Sequence, residues 1–169
     1  TLFIKTNFIS RIGKILYKLS LKSSKHIFFQ NNSDLELFVK SRLIKSYNCS
    51  VIPGSGVKTS VFKQNKKQNK GNKFLFVGRL IGDKGVFEYL EAARRVLIEY
   101  PNVVFFLAGE LGYKNKTSIT KPQLENYTIS NPQIKYLGKI DDMVSLLKSI
   151  DIMVLPSYRE GLSKSLIEA

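Results

Sequence analysis

Short apolar segments alternate with longer amphipathic segments from residue 74 onward, and this alternation constrains the fold more than any other feature. The apolar segments are predicted strands, at residues 74–77, 103–108, 134–137 and 152–155. The segments that follow them are predicted helices, at residues 85–100, 122–128, 141–149 and from 163 onward. Because strands alternating with helices build βαβ units, the sequence predicts an α/β fold with a parallel sheet covered on both faces.

Two further strands are predicted in the first part of the chain, at residues 26–30 and 49–52. Between them, the pattern Ser33-x-x-Glu36 is typical of a capping box at the start of a helix. This helix is predicted to run to about residue 44.

The first part also begins with a predicted amphipathic helix over residues 8–21. Its apolar side chains recur at three- and four-residue steps, at Phe8, Ile12, Ile15, Leu16 and Leu19. Lys14, Lys18 and Lys22 form a separate row, in which like charges at i, i+4 repel rather than stabilise a helix. Such a row suits an anionic bilayer surface. An ordinary helix packed on a sheet, with its lysines in water, explains the pattern equally well, so both alternatives stay open.

The net charge of +14 is concentrated in residues 1–73, which hold 15 of the 27 basic residues but only two of the 13 acidic ones. Residues 74–169 are almost neutral. Part of the excess lies in residues 63–73 (KQNKKQNKGNK), a predicted solvated linker with nothing to bury. Lys is also far more frequent than Arg, whereas nucleic-acid surfaces rely on Arg for bidentate and stacking contacts. A nucleic-acid partner is therefore not predicted.

The composition excludes several other classes. Cys49 is the single cysteine, so neither an intrachain disulfide nor a cysteine zinc cluster can form. The longest apolar runs are far shorter than the roughly 20 residues of a membrane-spanning helix. The chain does not begin with Met and ends within a helical pattern, from which we expect a fragment of a longer protein.

Charged residues and glycines follow the predicted strands of the second part. They are Arg79 and Lys84, Gly109 and Glu110, Lys139 and Ile140, and finally Glu160 and Gly161. Ligands of open parallel sheets bind at the carboxyl ends of the strands, so we expect these loops to form one site. The two cations and the helix start near Ser163 suit phosphates, and a carboxylate suits sugar hydroxyls. The loops therefore predict a nucleotide-like ligand.

The familiar phosphate-binding fingerprints are missing from the sequence. There is no GxxxxGK[ST] motif, and the pair Gly54-x-Gly56 lacks the third glycine of GxGxxG and opens no predicted helix. A redox dinucleotide is therefore not predicted.

Several longer motifs occur in order along nearly the whole chain. They are FFQNNSDLELF (28–38), IPGSGV (52–57), FLFVGRLIGDKG (74–85), FLAGE (106–110), YLG (136–138), IDIMVLPS (150–157) and SYREGLSKSLIEA (157–169). Together they resemble family 4 glycosyltransferases, which are retaining enzymes of the GT-B fold. The last of these motifs, residues 157–169, contains that family's two glutamates separated by seven residues, here Glu160 and Glu168. The first motif resembles a subgroup that acts on lipid-linked sugars in O-antigen, capsule or glycan assembly.

The resemblance implies an α/β fold of GT-B type with two Rossmann-like domains. Residues 1–52 would be the last part of the N-terminal acceptor domain, and residues 53–73 the interdomain linker. Residues 74–169 would be the nucleotide-sugar-binding C-terminal domain, incomplete at its end. On this assignment the fragment alone is expected to be inactive.

The resemblance also assigns roles to residues. Arg79 and Lys84 would bind the donor diphosphate and stabilise the leaving nucleotide, and Glu160 would contact the transferred sugar; these three are the predicted catalytic residues. The backbone of residues 161–163 would bind the distal phosphate. The predicted donor site as a whole consists of Arg79, Lys84, Gly109, Glu110, Lys139, Ile140, Glu160, Gly161, Leu162, Ser163 and Glu168. In it, Lys139 and Ile140 would lie against the base and Glu168 would bind the ribose.

The implied function is transfer of a sugar, with retention, from a UDP-N-acetylhexosamine or UDP-hexose to a lipid-linked saccharide. No cofactor and no metal are expected, because cationic side chains and a helix dipole would neutralise the diphosphate. The implied location is cytoplasmic, at the inner face of the plasma membrane, with the basic helix over residues 8–22 on the lipid surface. The alternatives are a non-catalytic basic module that binds membranes or nucleic acid, and a GT-B sugar-nucleotide epimerase.

Overall fold

The structure is a computed structural model that describes residues 8–52, 54, 56–63 and 71–169. The chain divides into two compact units, Thr1–Gly56 and Val57–Ala169. Most of the Lys/Asn/Gln-rich segment, at residues 64–70, lies outside the described residues, as do two positions of the turn before it. The linker predicted over residues 53–73 therefore stays a prediction.

In the first unit, helices and short parallel strands alternate. Its described elements are α1 (Phe8–Leu21), β1 (Ile27–Phe29), α2 (Asn32–Lys40), a 3-10 turn (Ser46–Asn48) and β2 (Cys49–Val51). β1 and β2 pair in parallel, with Ile27 opposite Cys49 and Phe29 opposite Val51. This order of elements is the one the sequence predicted.

Helix α2 differs from its predicted bounds at both ends. Its N-cap is Asn31 rather than Ser33: the Asn31 side chain accepts a hydrogen bond from the Asp34 backbone N–H at 2.7 Å. Asn caps a helix as well as Ser does, so the pattern two residues later was misleading. The helix ends at Lys40 because Arg42 takes a left-handed conformation, with φ of 54°, that helices adopt where they terminate.

Helix α1 has the bounds that the sequence predicted, but its apolar row is not buried. Phe8, Leu16 and Leu19 are each more than 60% exposed, and Ser10 is the helix's one buried residue. The ring of Tyr17 packs edge-on against Phe38 of α2, with 5.6 Å between ring centroids. None of the described helices, this one included, is long and apolar enough to cross a bilayer.

The second unit continues the alternation over a larger sheet. Its described elements are β3 (Lys73–Val77), a 3-10 turn (Gly82–Lys84), α3 (Val86–Glu99), β4 (Val104–Ala108), α4 (Lys121–Ser130), β5 (Ile134–Gly138), α5 (Met143–Ser149), β6 (Ile152–Met153) and α6 (Lys164–Glu168). The strands pair in parallel in the order β5-β4-β3-β6. The predicted parallel α/β sheet is thus confirmed.

The sheet of the second unit is covered on both faces. Leu75 and Phe76 are neighbours on β3, point to opposite faces, and are both completely buried. Phe76 belongs to a large apolar cluster with residues of α3 and α4, such as Leu90 and Leu124. Leu75 belongs to a smaller cluster with residues of α5. This double burial explains why β3 reads as a continuous apolar run in the sequence.

Strand β6 is shorter than the predicted span of residues 152–155. Only Ile152 and Met153 pair with β3, opposite Phe74 and Leu75. Val154 and Leu155 still pack against the larger apolar cluster. The Val154 N–H also donates to the Leu75 carbonyl of β3 at 2.8 Å. The apolar run therefore predicted burial correctly and extended beyond the assigned end of the strand.

Candidate functional site

Three neighbouring strands of the second unit end at the same level, and a glycine lies at each end. Val77 of β3 is opposite Ala108 of β4, which is opposite Gly138 of β5. A Cβ on Gly109 would lie 2.0 Å from the carbonyl oxygen of Gly78, so no side chain fits there. The Gly109 N–H donates to the Gly138 carbonyl at 2.8 Å. The carboxyl ends of β3, β4 and β5 therefore form an edge lined by backbone atoms. The loops that follow these strands carry the side chains near this edge.

The loop after β3 carries the two predicted cations, Arg79 and Lys84, and is fixed by contacts before and after Lys84. Its 3-10 turn begins at Gly82, whose N–H donates to the carbonyl of Thr117 at 2.7 Å. The residue after the turn is Gly85, which has φ of +76° and lies directly against Pro156 of the loop after β6. A Cβ on Gly85 would lie 2.1 Å from the Pro156 carbonyl oxygen. A glycine at this position lets the two loops touch.

The two loops bring Lys84 and Glu160 together, although they are 76 residues apart. The Lys84 ammonium donates to the Glu160 carboxylate, and both side chains are about three-quarters buried. The sequence predicted both residues for one ligand site but did not predict that they form an ion pair with each other.

The carboxylate of Glu160 lies in a cationic environment. Burial raises its pKa, but the hydrogen bond and charge of Lys84, the Ser157 hydroxyl and the charge of Arg79 together hold that pKa below its ordinary value. The Ser157 hydroxyl also lies 3.2 Å from the carbonyl of Asp83, so its one proton serves one acceptor at a time. Glu160 is therefore an anion near neutral pH, and Arg79 contributes to this although its own side chain is exposed.

The loops after β4 and β5 reach the same edge. Glu110 is exposed, and the preceding carbonyl of Gly109 accepts a hydrogen bond from the Tyr136 hydroxyl at 3.0 Å. Lys139 is exposed, whereas Ile140 packs against the smaller apolar cluster under the sheet. The roles predicted for Glu110, Lys139 and Ile140 toward a donor stay predictions.

The last part of the predicted site lies around helix α6. Ser163 is the N-cap of α6 but makes no capping bond, and its hydroxyl lies 3.0 Å from that of Ser165. Gly161 and Leu162 are exposed. The ion pair given for Glu168 is with Lys164 at 3.5 Å, and Glu168 lines a pocket with side chains of α5 such as Leu147. The described contacts join Glu160 to Lys84 but do not bring Glu168 to them.

Sequence reasoning missed two residues beside this ion pair. The Tyr158 hydroxyl donates to the Glu88 carboxylate at 2.6 Å, across 70 residues of sequence. Glu88 lies in the first turn of α3, directly after the Lys84 loop. No spacing or motif indicates such a long-range contact. The position of Tyr158 two residues before Glu160 was the one available signal.

Within the described part of the chain, no group of three or more His, Cys, Asp or Glu side chains is placed so that it could hold a metal ion.

The comparison with known protein families identifies the chain. The family model described as "Glycosyl transferases group 1" matches residues 57–169, which is the whole of the second unit. The chain belongs to this glycosyltransferase family. The match includes both loops that carry the Lys84–Glu160 pair.

Named relatives of this glycosyltransferase add detail about the family. The chain is 32% identical to the N,N'-diacetylbacillosaminyl-diphospho-undecaprenol alpha-1,3-N-acetylgalactosaminyltransferase of Campylobacter jejuni. The alignment covers 98% of this chain and 45% of that relative. The chain is also 28% identical to the UDP-Gal:alpha-D-GlcNAc-diphosphoundecaprenol alpha-1,3-galactosyltransferase of Escherichia coli. This alignment covers 92% of the chain and 44% of that relative. The chain thus spans somewhat less than half of the curated relatives it matches.

Solved structures support the fold of this glycosyltransferase. A mutant of S. aureus TarM, crystallised with fondaparinux, alpha-GlcNAc-glycerol and UDP, superposes with a TM-score of 0.73 at 18% identity, over 94% of this chain and 30% of TarM. At this identity the likeness concerns the fold alone. The predicted family and the predicted GT-B fold class, with its Rossmann-like parallel sheet, are confirmed.

Proposed function

We propose that the full-length protein transfers a sugar from a UDP-N-acetylhexosamine or UDP-hexose to a lipid-linked saccharide, with retention of configuration. The observation that carries the proposal is the pair of Lys84 and Glu160, joined at the strand-end edge inside the family's matched region. The names of the relatives support the choice of substrates, since both describe transfer of a hexose or N-acetylhexosamine to a diphospho-undecaprenol-linked sugar.

The proposed division of roles follows the charges of the site. Lys84 and Arg79 bind the donor diphosphate and stabilise the negative charge that develops on the leaving UDP. Glu160, held as an anion beside them, accepts hydrogen bonds from hydroxyls of the transferred sugar. The other predicted donor contacts, including Glu168 at the ribose, complete the proposed site. In this proposal the cationic side chains neutralise the diphosphate, and the reaction needs no metal.

The proposal is tested with the full-length protein, radiolabelled UDP-sugars and a diphospho-undecaprenol-linked saccharide in detergent. We expect free UDP and a lipid-linked product longer by one sugar, with activity unchanged by EDTA. The NMR coupling constant of the new linkage reports the anomeric configuration.

Each other result of this assay contradicts a stated part of the proposal. An isomerised nucleotide sugar without a longer lipid would instead indicate an epimerase. Loss of activity in EDTA would overturn the metal-free reaction, and an inverted linkage would overturn retention. No product with any UDP-hexose or UDP-N-acetylhexosamine would overturn the assignment of the donor.

The exposed side of helix α1 supports a second partner, the inner face of the plasma membrane. Lys14 and Lys18, with Lys22 directly after the helix, form the basic row. The solvent-exposed side chains of the helix include both Lys18 and apolar residues such as Leu16. Exposed lysines beside exposed apolar side chains are typical of helices that lie in an anionic bilayer interface. We propose that α1 binds this surface and so brings the enzyme to its lipid-linked acceptor.

Replacing Lys14, Lys18 and Lys22 with Glu is expected to weaken binding to vesicles of phosphatidylglycerol and phosphatidylcholine at least tenfold, since each lysine near an anionic surface contributes about 1 kcal/mol. The measurement is vesicle co-sedimentation at fixed ionic strength. The matched control replaces the exposed Lys114, Lys116 and Lys121 with Glu, which changes the net charge equally. Equal losses in both variants, or none in either, would favour an ordinary helix packed on a sheet.

A further inference from the structure

The loop that carries Glu160 is long and has little regular structure of its own. Between the end of β6 at Met153 and the start of α6 at Lys164, ten residues belong to no helix or strand. Ordering such a segment costs conformational entropy at every residue. Contacts outside the segment must therefore hold Glu160 beside Lys84.

The structure provides such contacts on both sides of Lys84. On one side, the carbonyl of Asp83 accepts hydrogen bonds from the Tyr158 N–H at 3.1 Å and from the Ser157 hydroxyl at 3.2 Å. On the other side, Glu88 accepts the hydrogen bond from the Tyr158 hydroxyl at 2.6 Å. Tyr158 thus contacts the Lys84 loop through both its backbone and its side chain.

The side-chain contact is of the stronger kind. A distance of 2.6 Å between a hydroxyl and a carboxylate oxygen is typical of a charge-assisted hydrogen bond. The bond to Glu88 is also the main reason why the pKa of Tyr158 is raised, since the bond stabilises the neutral phenol. The ring of Tyr158 is mostly exposed, so burial in a core does not fix its position. The hydrogen bond to Glu88 is therefore the contact that orients the side chain.

We propose that Tyr158 and Glu88 form a clasp that positions Glu160 beside Lys84 before the donor binds. Tyr158 is then a positioning residue: its hydrogen bonds go to Asp83 and Glu88 rather than to Lys84 or Glu160, and they restrict the loop that carries Glu160. The catalytic consequence of the clasp rests on the proposed function, whereas its effect on the loop does not.

The effect on the loop is tested by amide hydrogen exchange of the full-length protein without ligand. Tyr158→Phe removes only the hydroxyl, and we expect exchange in residues 157–160 to become roughly three- to tenfold faster, the factor that one hydrogen bond contributes to a local opening equilibrium. Tyr100→Phe is the matched control, because Tyr100 is an exposed tyrosine at the far end of α3. Unchanged exchange in Tyr158→Phe would overturn the clasp, whether or not the protein transfers sugar.

The effect on the reaction is tested by steady-state kinetics with the donor varied. If the loop is closed only part of the time, the apparent Kd for the donor is the Kd of the closed form divided by the closed fraction. At saturating donor concentration the loop is closed again. We expect Tyr158→Phe to raise the donor KM by up to the factor by which it speeds exchange, with kcat within twofold of wild type and an unchanged thermal midpoint. Glu88→Gln, which keeps a carbonyl acceptor, is expected to have a smaller effect.

The double variant Tyr158→Phe/Glu88→Gln separates the clasp from two independent effects. We expect it to be no worse than Tyr158→Phe alone, because the bond can be lost only once. Additive losses would overturn the pairing of the two residues. Faster exchange with an unchanged donor KM would overturn the positioning role. If the wild-type protein had no transferase activity, the proposed function would be overturned, but the exchange experiment would still decide whether the clasp exists.

Discussion

Replacing Gly85 with alanine is expected to destabilise the protein by about 3–5 kcal/mol, near the upper end of the range for single substitutions. The new Cβ would lie 2.1 Å from the Pro156 carbonyl oxygen and 2.6 Å from its carbon, so backbone must move. The residue would also keep φ of +76°, which costs an L-amino acid about 1–2 kcal/mol. Because Gly85 follows Lys84 and Pro156 lies four residues before Glu160, the movement is expected to separate the ion pair and abolish donor binding.

Gly112→Ala is the matched control for this prediction. Gly112 has φ of +87°, but nothing lies within 4 Å of its hypothetical Cβ. This variant therefore has the same backbone strain without the collision. Urea unfolding of the two variants isolates the effect of the contact between the loops. Equal losses of stability would contradict the close approach of Gly85 to Pro156.

Replacing Lys84 with alanine is expected to lower kcat/KM by about 100- to 1000-fold, as loss of a preorganised charge at a transition state does. It removes a cation from the proposed diphosphate site and takes the Lys84 ammonium away from the Glu160 carboxylate, which is about one-quarter exposed. The pKa of the Glu160 carboxylate should therefore rise. The free energy of unfolding should fall by about 2 kcal/mol, between the values for surface and for fully buried pairs. Kinetics and urea unfolding measure the two effects.

A second substitution separates the stability effect from the catalytic one. Lys84→Ala/Glu160→Gln also removes the negative charge at position 160, so we expect it to regain stability but no activity. Arg79→Ala should reduce donor binding without a comparable loss of stability, because Arg79 is exposed. Lys121→Ala is the control, since Lys121 forms an exposed surface pair with Glu125 at 3.7 Å. Full activity of Lys84→Ala would exclude Lys84 from the proposed chemistry.

Periodic apolar patterns predicted the elements of this protein well, because local sequence determines which residues are buried in a sheet covered on both faces. The predicted strand at residues 74–77 and the structural strand Lys73–Val77 differ by a single residue. The errors lie at element ends, where competing local interactions decide. Asn31 competes with Ser33 as the cap of α2, and the left-handed Arg42 ends that helix early.

The candidate site was predictable only as a set of residues. The motifs and strand ends indicated Lys84 and Glu160, but a contact across 76 residues depends on the order of strands in the sheet. The same holds for Tyr158 and Glu88, which no motif joins. The contact of Gly85 with Pro156 could not be predicted either. A glycine in a sequence can indicate a tightly packed position, but it does not identify the residue that packs against it.

The strand order β5-β4-β3-β6 has a consequence for how the enzyme is made on the ribosome. β4 and β5 can each join the growing sheet soon after they emerge, but β6 must return to the free edge of β3, the first strand of the sheet to be synthesised. Lys84 therefore waits for its partner while 76 further residues are translated, roughly 4–15 s at bacterial or eukaryotic elongation rates. During this interval the nascent domain has a partly formed sheet in which β3 is still an edge strand, and the proposed donor site is assembled last.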